Sequence, residues 1–190
     1  MGFDLNGLSP DNPQDVQKPV IDWDSEPTRQ EQEEYFRNLE AYEKAVPGHY
    51  FRNNVWWWRP LWMFVSESCN DILTDKDIEG GSWNDGHEIS KTKAGKIARK
   101  LYKLIETDQV KAYETKYKKE LDSLEQVDCE ICDATGKRQE PPKTGAGDRE
   151  CNGCSGTGKK DDWAKSYPFS EDNVREFANF CANSGGFAIC

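Results

Sequence analysis

The sequence predicts an α+β fold that is mainly helical: a small domain with an inserted four-cysteine zinc ribbon. Three observations predict this class. Five segments carry apolar residues at helical spacing, short apolar segments lie near both termini, and two CxxC motifs lie close together in the last third of the chain. At 190 residues the chain is long enough for one domain with its own hydrophobic core.

The predicted elements divide the chain into four parts. Residues 1–28 hold a short strand followed by an extended, proline-rich arm, and residues 29–126 form a helical body. Residues 127–160 form the zinc ribbon. Residues 161–190 form a C-terminal helix and a short strand that pack on the body.

Capping residues predict where the helices begin. The segment TRQE at 28–31 is a capping box, and Pro60 suits the first turn of a second helix. Ser90 can cap a third helix, and a fourth follows from Val110 to Leu124. Ser170 begins the last helix.

The chain is acidic, with a formal net charge of −10. Phosphate contact needs a basic face, so the composition disfavours nucleic acid as a partner. No run of about 18 apolar residues is present, which predicts no membrane span. The segment MGFDLNGLSP has neither a basic n-region nor a long apolar h-region, so no secretory signal is expected in it. The seven cysteines are an odd number, which argues against a disulfide scaffold and suits a reducing compartment. We therefore expect the protein in the cytoplasm.

The two CxxC motifs predict a zinc site. CEICDATG at 129–136 and CNGCSGTG at 151–158 are two copies of one pattern. Each CxxC holds two thiolates on a tight turn, and two such turns complete a tetrahedral site. The expected cofactor is one zinc ion, and its predicted ligands are Cys129, Cys132, Cys151 and Cys154. The site is expected to be structural, because no coordination position is left for a catalytic water.

This pattern resembles the cysteine-rich domain of DnaJ-type co-chaperones, whose repeat is CxxCxGxG. The second copy matches the repeat fully, whereas the first has Ala134 in place of the first glycine. That family carries four repeats and two zinc ions, so the two repeats within residues 129–158 imply one. The resemblance implies zinc binding. It does not imply co-chaperone activity, because the chain lacks the His-Pro-Asp tripeptide of a J-domain.

The segment FRNNVWWWRPLW at 51–62 concentrates tryptophan, arginine and asparagine. An extended conformation would place alternate side chains on opposite faces, so that one set enters the core and the other lines a surface. Arginine binds phosphate, and an aromatic face stacks on a planar ring. The candidate ligand-binding residues of this segment are Arg52, Asn53, Asn54, Trp57, Trp58 and Arg59. Trp62 is expected to pack inward, and three interpretations stay open for the whole segment: a packed core, a ligand pocket and a protein interface.

A second candidate segment is SWNDGHEIS at 82–90. Its Asn-Asp-Gly turn leads into the third helix, whose N-terminus favours anions; the alternative is an ordinary capped loop. The candidate ligand-binding residues here are Trp83, Asn84, Asp85 and His87. The third helix also carries a stripe of lysines, which either is a solvated face or receives phosphates. The stripe consists of Lys93, Lys96, Lys100 and Lys103.

Three segments, MGFDLNGL, GHYFRNNVWWWRPLW and SGGFAIC, resemble parts of uncharacterised proteins encoded by bacteriophages. The resemblance implies a small viral or accessory protein of the host cytoplasm. Counter-defence, in which a phage protein sequesters a nucleotide immune signal, is the context that the resemblance suggests.

The leading functional prediction is a non-enzymatic binding protein with a structural zinc site and a pocket for a nucleotide-like anionic ligand. One alternative is a protein–protein interaction module that uses the polar ribbon tip, residues 137–150, and exposed tryptophans to inhibit or bridge a host factor. Another is a hydrolase or lyase that uses His87 as a general base. For the leading prediction, no catalytic residue is expected.

Overall fold

The fold is built around a four-stranded antiparallel sheet. The computed structural model describes residues 2–12, 14–140 and 143–190; Met1, Pro13 of the predicted arm, and Pro141 and Pro142 of the predicted ribbon tip lie outside the described part. The strands lie in the order β2 (Tyr50–Asn54), β1 (Gly2–Gly7), β8 (Gly186–Ile189) and β3 (His87–Ser90). The N-terminal and C-terminal strands therefore pair side by side, with Leu5 opposite Ile189.

Six α-helices and two short 3-10 helices, Trp23–Ser25 and Trp163–Ser166, lie in the described part of the chain, which is 47% helical, and the predicted α+β class is confirmed. The α-helices are α1 (Arg29–Ala45), α2 (Val55–Ser68), α3 (Asp75–Gly80), α4 (Lys91–Glu106), α5 (Gln109–Asp122) and α6 (Glu171–Asn183). Thr28, Ser90 and Ser170 cap α1, α4 and α6, as the sequence predicts. Each cap accepts a hydrogen bond from a backbone N–H that has no partner inside its helix.

The chain forms two compact units. The first comprises Met1–Glu114 and Phe169–Cys190, and the second is Thr115–Pro168. The four-stranded sheet belongs to the first unit, whereas both CxxC motifs and four short strands belong to the second. These strands are β4 (Val127–Asp128), β5 (Lys137–Arg138), β6 (Arg149–Glu150) and β7 (Lys159–Lys160). In the described residues, no helix is both long and apolar enough to cross a membrane.

The core of the first unit is aromatic. Trp58 is fully buried and stacks on Trp62 and on Phe3, with 5.3 Å between ring centroids in both pairs. Phe177 of α6 meets Trp58 edge-on at 5.8 Å. Hydrophobic residues make up only 35% of the chain. Large rings therefore supply much of the apolar area that the fold buries.

Residues 51–54 of the tryptophan segment belong to β2, but its four tryptophans lie on α2, so the extended conformation considered for them is wrong. β2 ends at Asn54, whose side chain accepts hydrogen bonds from the backbone N–H groups of Trp56 and Trp57 at 3.0 and 3.1 Å. This cap begins α2 directly after β2, so Pro60 lies inside the helix and not in its first turn. Residues four apart share one face of a helix, and Trp62 is buried there as predicted.

Candidate metal centre and ligand cavity

Four buried cysteines form a cluster in the second unit. The Sγ atoms of Cys129, Cys132, Cys151 and Cys154 all lie within 4.8 Å of one another. The two motifs meet in pairs, with 3.9 Å between Cys129 and Cys151 and 3.7 Å between Cys132 and Cys154. Among the described residues, this is the one group of cysteine, histidine and acidic side chains compact enough to hold a metal ion. The structure thus brings the four predicted ligands together.

The two CxxC repeats fold alike and hold each other in place. The N–H of Cys129 donates to the carbonyl of Gly158, and the N–H of Cys151 donates to the carbonyl of Gly136, both at 2.9 Å. Strand β4 pairs with β7, and β5 pairs with β6. The N–H of Gly158 also donates to the Sγ of Cys154 at 3.2 Å. Because amide donors stabilise thiolates, the backbone prepares the cluster for a cation.

The last glycine of the CxxCxGxG pattern, Gly136 in one repeat and Gly158 in the other, has no room for a side chain. A Cβ on Gly136 would meet the carbonyl oxygen of Gly156 at 2.2 Å, and a Cβ on Gly158 would meet that of Ala134 at 2.1 Å. The first glycine position is less restricted. Ala134 occupies it in one repeat at φ 60°, and in the other a Cβ on Gly156 would approach only the flexible side chain of Glu150. The departure from the DnaJ-type pattern therefore falls where the structure tolerates a side chain.

The clustered thiols influence one another's ionisation. Burial and the neighbouring thiols raise the pKa of Cys132 to about 12. Burial also favours a raised pKa for Cys154, but the N–H of Gly158 and the other thiols lower it to about 7. Cysteine binds a metal ion as the thiolate, so protons on these thiols have to leave first. A metal cation must displace them, which makes metal binding pH-dependent.

The polar residues predicted beside the tryptophans make contacts within the fold. Asn54 caps α2, and the side chain of Asn53 donates to Oδ1 of Asn173 at 2.9 Å. The Nε atom of Arg52 lies 3.5 Å from the carboxylate of Asp4 on the neighbouring strand. Each of these three predicted ligand-binding side chains thus has a structural contact.

The other predicted members of the tryptophan segment divide between core and surface. The indole N–H of Trp58 donates to the carbonyl of Gly81 at 2.8 Å, and Trp57 is half-buried. Arg59 is exposed and, with Met63, lines a cavity of about 370 Å³ beside α3. Because Trp58 has no exposed surface, it cannot stack on a ligand.

A larger cavity, of about 530 Å³, brings together three of the four residues predicted in the second candidate segment. Trp83, 59% exposed, lines it with Asp85 and His87. Asn84 is not part of the lining, because its amide donates to the backbone of β1 at 3.3 Å. Lys76 and Glu79 of α3 add an amino group and a carboxylate that sequence reasoning missed, although α3 ends only two residues before Ser82 and this closeness along the chain was the available signal. We call this space the Trp83 cavity.

His87 also contacts a buried carboxylate, that of Asp77, in a polar cluster that the sequence does not reveal. The carboxylate of Asp77 on α3 contacts Nε2 of His87 at 3.2 Å and accepts a hydrogen bond from Lys93 of α4. It also accepts the N–H and O–H of Thr74 at 2.8 and 2.6 Å. Burial alone would raise the pKa of this carboxyl group, but the hydrogen bonds from Lys93, Thr74 and His87 hold it well below its usual range. A Cβ on Gly80 would collide with the His87 ring, so a glycine lets β3 pack against α3.

Two lysines of the predicted stripe on α4 form ion pairs inside the first unit. Lys93 binds Asp77, and Nζ of Lys100 lies 2.5 Å from the carboxylate of Asp71. Lys96 and Lys103 are exposed. At least half of the stripe thus serves to neutralise acidic groups of this chain.

Comparison with known proteins gives no relative from which a role could be transferred. No protein-family model, no curated protein and no solved structure matches this chain. A function for this protein therefore has to follow from the geometry of the cysteine cluster and of the Trp83 cavity.

Proposed function

We propose that this chain is a non-enzymatic binding protein that holds a structural zinc ion and binds a nucleotide-like anionic ligand in the Trp83 cavity. The observation that carries the proposal is the lining of that cavity, in which Trp83, Lys76 and His87 lie beside the carboxylates of Glu79 and Asp85. The exposed indole offers a stacking face for a base, and the lysine ammonium attracts phosphate. The carboxylates and the imidazole can hydrogen-bond hydroxyl groups or a base edge. A volume of about 530 Å³ lies within the range of roughly 300–1,000 Å³ that ligand pockets occupy.

Titration with ATP, ADP-ribose and a cyclic dinucleotide tests the ligand. Binding heat and quenching of tryptophan emission should report a complex, and Trp83→Ala and Lys76→Ala should each weaken it by about tenfold or more. Arg59→Ala is the matched control, because it removes the same charge outside the cavity; its affinity should stay within about twofold of the wild type. The proposal fails if none of the three probes binds, or if Arg59→Ala weakens binding as much as Lys76→Ala.

Zinc is the metal that fits the cysteine cluster best. Four Zn–S bonds of about 2.3 Å in a tetrahedron place the sulfur atoms about 3.8 Å apart. The pairs that join the two repeats are separated by 3.9 and 3.7 Å. Four thiolates leave no position for water, which supports a structural role. Elemental analysis should find one zinc per chain, and Cys129→Ser should lower it; iron, or no metal, would contradict the assignment.

One observation favours the enzyme alternative, the pairing of Asp77 with His87 beside a cavity. A carboxylate that orients an imidazole is a common arrangement for a general base. The two buried cysteines of the first unit, Cys69 and Cys181, offer no nucleophile for such a base to activate. Burial raises the pKa of Cys69 to about 11 and that of Cys181 well above its ordinary value. Turnover of a bound nucleotide that His87→Ala abolishes, with binding retained, would favour a hydrolase or lyase over the binding protein.

The counter-defence role and the interaction-module alternative stay predictions. The first rests on the resemblance to phage proteins, and binding of a cyclic dinucleotide in the Trp83 cavity would support it. The second relies on the ribbon tip, in which Pro141 and Pro142 lie outside the described residues.

A further inference from the structure

Two exposed aromatic side chains and one half-buried one form a face where the N-terminal arm packs on α1. The Trp23 ring lies 5.9 Å from that of Tyr35 and 6.1 Å from that of Phe36, and Tyr35 and Phe36 are 5.3 Å apart. In spite of these contacts, Trp23 is 51% exposed and Phe36 is 55% exposed. Single exposed apolar residues are ordinary, but a contiguous exposed set marks an interaction site. We call these three residues the arm face.

An acidic cavity adjoins the arm face through Tyr35. It has a volume of about 330 Å³ and lies between the arm and α1. Asp22, Glu31 and Glu34 line it, and none of its described lining residues is basic. Asp22 and Glu31 already accept hydrogen bonds from backbone N–H groups of their own segments. The exposed Glu34 adds a further carboxylate, so the cavity suits a cationic side chain.

The surroundings of the arm face are strongly acidic. Residues 19–40 carry seven acidic and two basic side chains, a net charge of −5 and half of the net −10 of the chain. One of the two basic residues, Arg29, is paired with Glu33 at 2.8 Å on its own helix. This charge repels nucleic acids and anionic membranes and attracts basic protein segments.

From this charge complementarity we propose that the arm face docks a basic segment of a partner protein. One arginine or lysine side chain of that segment enters the acidic cavity, where the carboxylates and the ring of Tyr35 both favour a cation. Apolar atoms next to it on the segment cover the exposed rings of Trp23 and Phe36. None of these residues belongs to the cysteine cluster or to the Trp83 cavity, so the surface is independent of both.

A short fluorescein-labelled peptide of alternating arginine and leucine is the probe. Its anisotropy should rise on titration with the full chain, and Phe36→Ala and Glu34→Lys should each weaken binding by about tenfold or more. Two matched controls should stay within about twofold of the wild type. Glu176→Lys changes the net charge as Glu34→Lys does, but on α6, and Met63→Ala removes another exposed apolar side chain. Circular dichroism verifies that each variant folds.

Three results would overturn the proposal. Equal weakening by Glu176→Lys and Glu34→Lys would mean that the peptide responds only to net charge. Equally tight binding of an arginine–serine peptide would mean that the aromatic rings make no contact. Self-association that sedimentation detects and Phe36→Ala abolishes would mean that a second copy of the chain occupies the arm face.

Discussion

Gly136 and Gly158 allow the backbones of the two CxxC repeats to approach each other. Each lies at a positive φ, and a Cβ on either would come within 2.2 Å of a carbonyl oxygen of the other repeat. The same approach places both CxxC turns around one cluster of sulfur atoms. These glycines therefore shape the cysteine cluster without contributing a ligand atom to it.

We expect Gly158→Ala to weaken metal binding and Gly156→Ala to be tolerated. Both glycines are left-handed, at φ 76° and 75°, so the cost of alanine in that region, about 1–2 kcal/mol, is common to both changes. Only Gly158→Ala adds a clash with backbone, at 2.1 Å. The rate at which a colorimetric chelator removes the metal should rise much more for Gly158→Ala. Equal rates would show that the close approach of the repeats does not matter.

Asp77 should make the stability of the first unit depend on pH. Its pKa is lowered in the folded state. The stability that its ionised carboxylate contributes is therefore complete above about pH 3.9, the pKa of aspartate in the unfolded chain. It is lost as the pH falls from there toward the lower pKa of the folded state. Asp77→Asn should reduce the free energy of unfolding at neutral pH by about 1–3 kcal/mol, because Lys93 and His87 lose a charged acceptor. In urea titrations this difference should shrink below about pH 4; a difference that stays constant would exclude the ionisation of Asp77 as its source.

At the scale of elements, α3 depends on side chains from outside it. A helix of six residues is not stable alone. The capping box of Thr74 and Asp77 provides hydrogen-bond acceptors for backbone N–H groups at its N-terminus. At its other end, the indole N–H groups of Trp62 and Trp58 donate to the carbonyls of Ile78 and Gly81 at 3.0 and 2.8 Å. These hydrogen bonds give two of the four clustered tryptophans a structural role, and α3 in turn positions Lys76 at the Trp83 cavity.

Trp62→Phe should loosen α3 while most of the aromatic packing remains. The change removes the indole donor from the partly buried carbonyl of Ile78, which keeps only the longer hydrogen bond from the Ser82 hydroxyl at 3.3 Å. The loss of one such hydrogen bond should cost about 0.5–1.5 kcal/mol of unfolding free energy. Amide exchange in residues 75–81 should be faster in the variant than in the wild type, while exchange in α4 stays unchanged. Trp83→Phe, at an exposed indole, is the control and should change stability by no more than about 0.5 kcal/mol. If the two variants are equally stable, the indole hydrogen bond does not support α3.

At the scale of the molecule, the two units differ in what holds them together. The first has an aromatic core between sheet and helices. In the described part of the second, the buried hydrophobic residues are the four clustered cysteines, and Ile131 packs partly buried against them. A unit with so little apolar surface to bury needs another source of stability, and the metal can supply it.

Metal removal should therefore unfold the second unit and leave the first folded. Under a strong chelator with a reductant, amides of residues 127–160 should lose protection from hydrogen exchange, while those of α4 and β8 keep it. Re-addition of zinc should restore the protection. A single transition in which both units lose protection together would contradict this prediction.

Local patterns in the sequence determined the cysteine cluster, several helix caps and the fold class. The CxxC spacing identified the four cysteines that cluster, because two thiolates on one tight turn need no information from elsewhere. The caps at Thr28, Ser90 and Ser170 were readable for the same reason, since a cap joins residues only a few positions apart. The terminal strands and the α+β class also followed from local patterns.

Only the tertiary structure decided how distant segments combine. The side chain of Asn54 caps α2, so the chain becomes helical from Val55 onward and the tryptophans do not alternate as they would in a strand. The partnership of Asp77 with Lys93 and the hydrogen bond from Trp58 to Gly81 join residues that are remote in sequence and lie on or beside different elements. Such contacts form because packing of the aromatic core brings α2, α3, α4 and β3 together, and no local pattern records which side chains then meet.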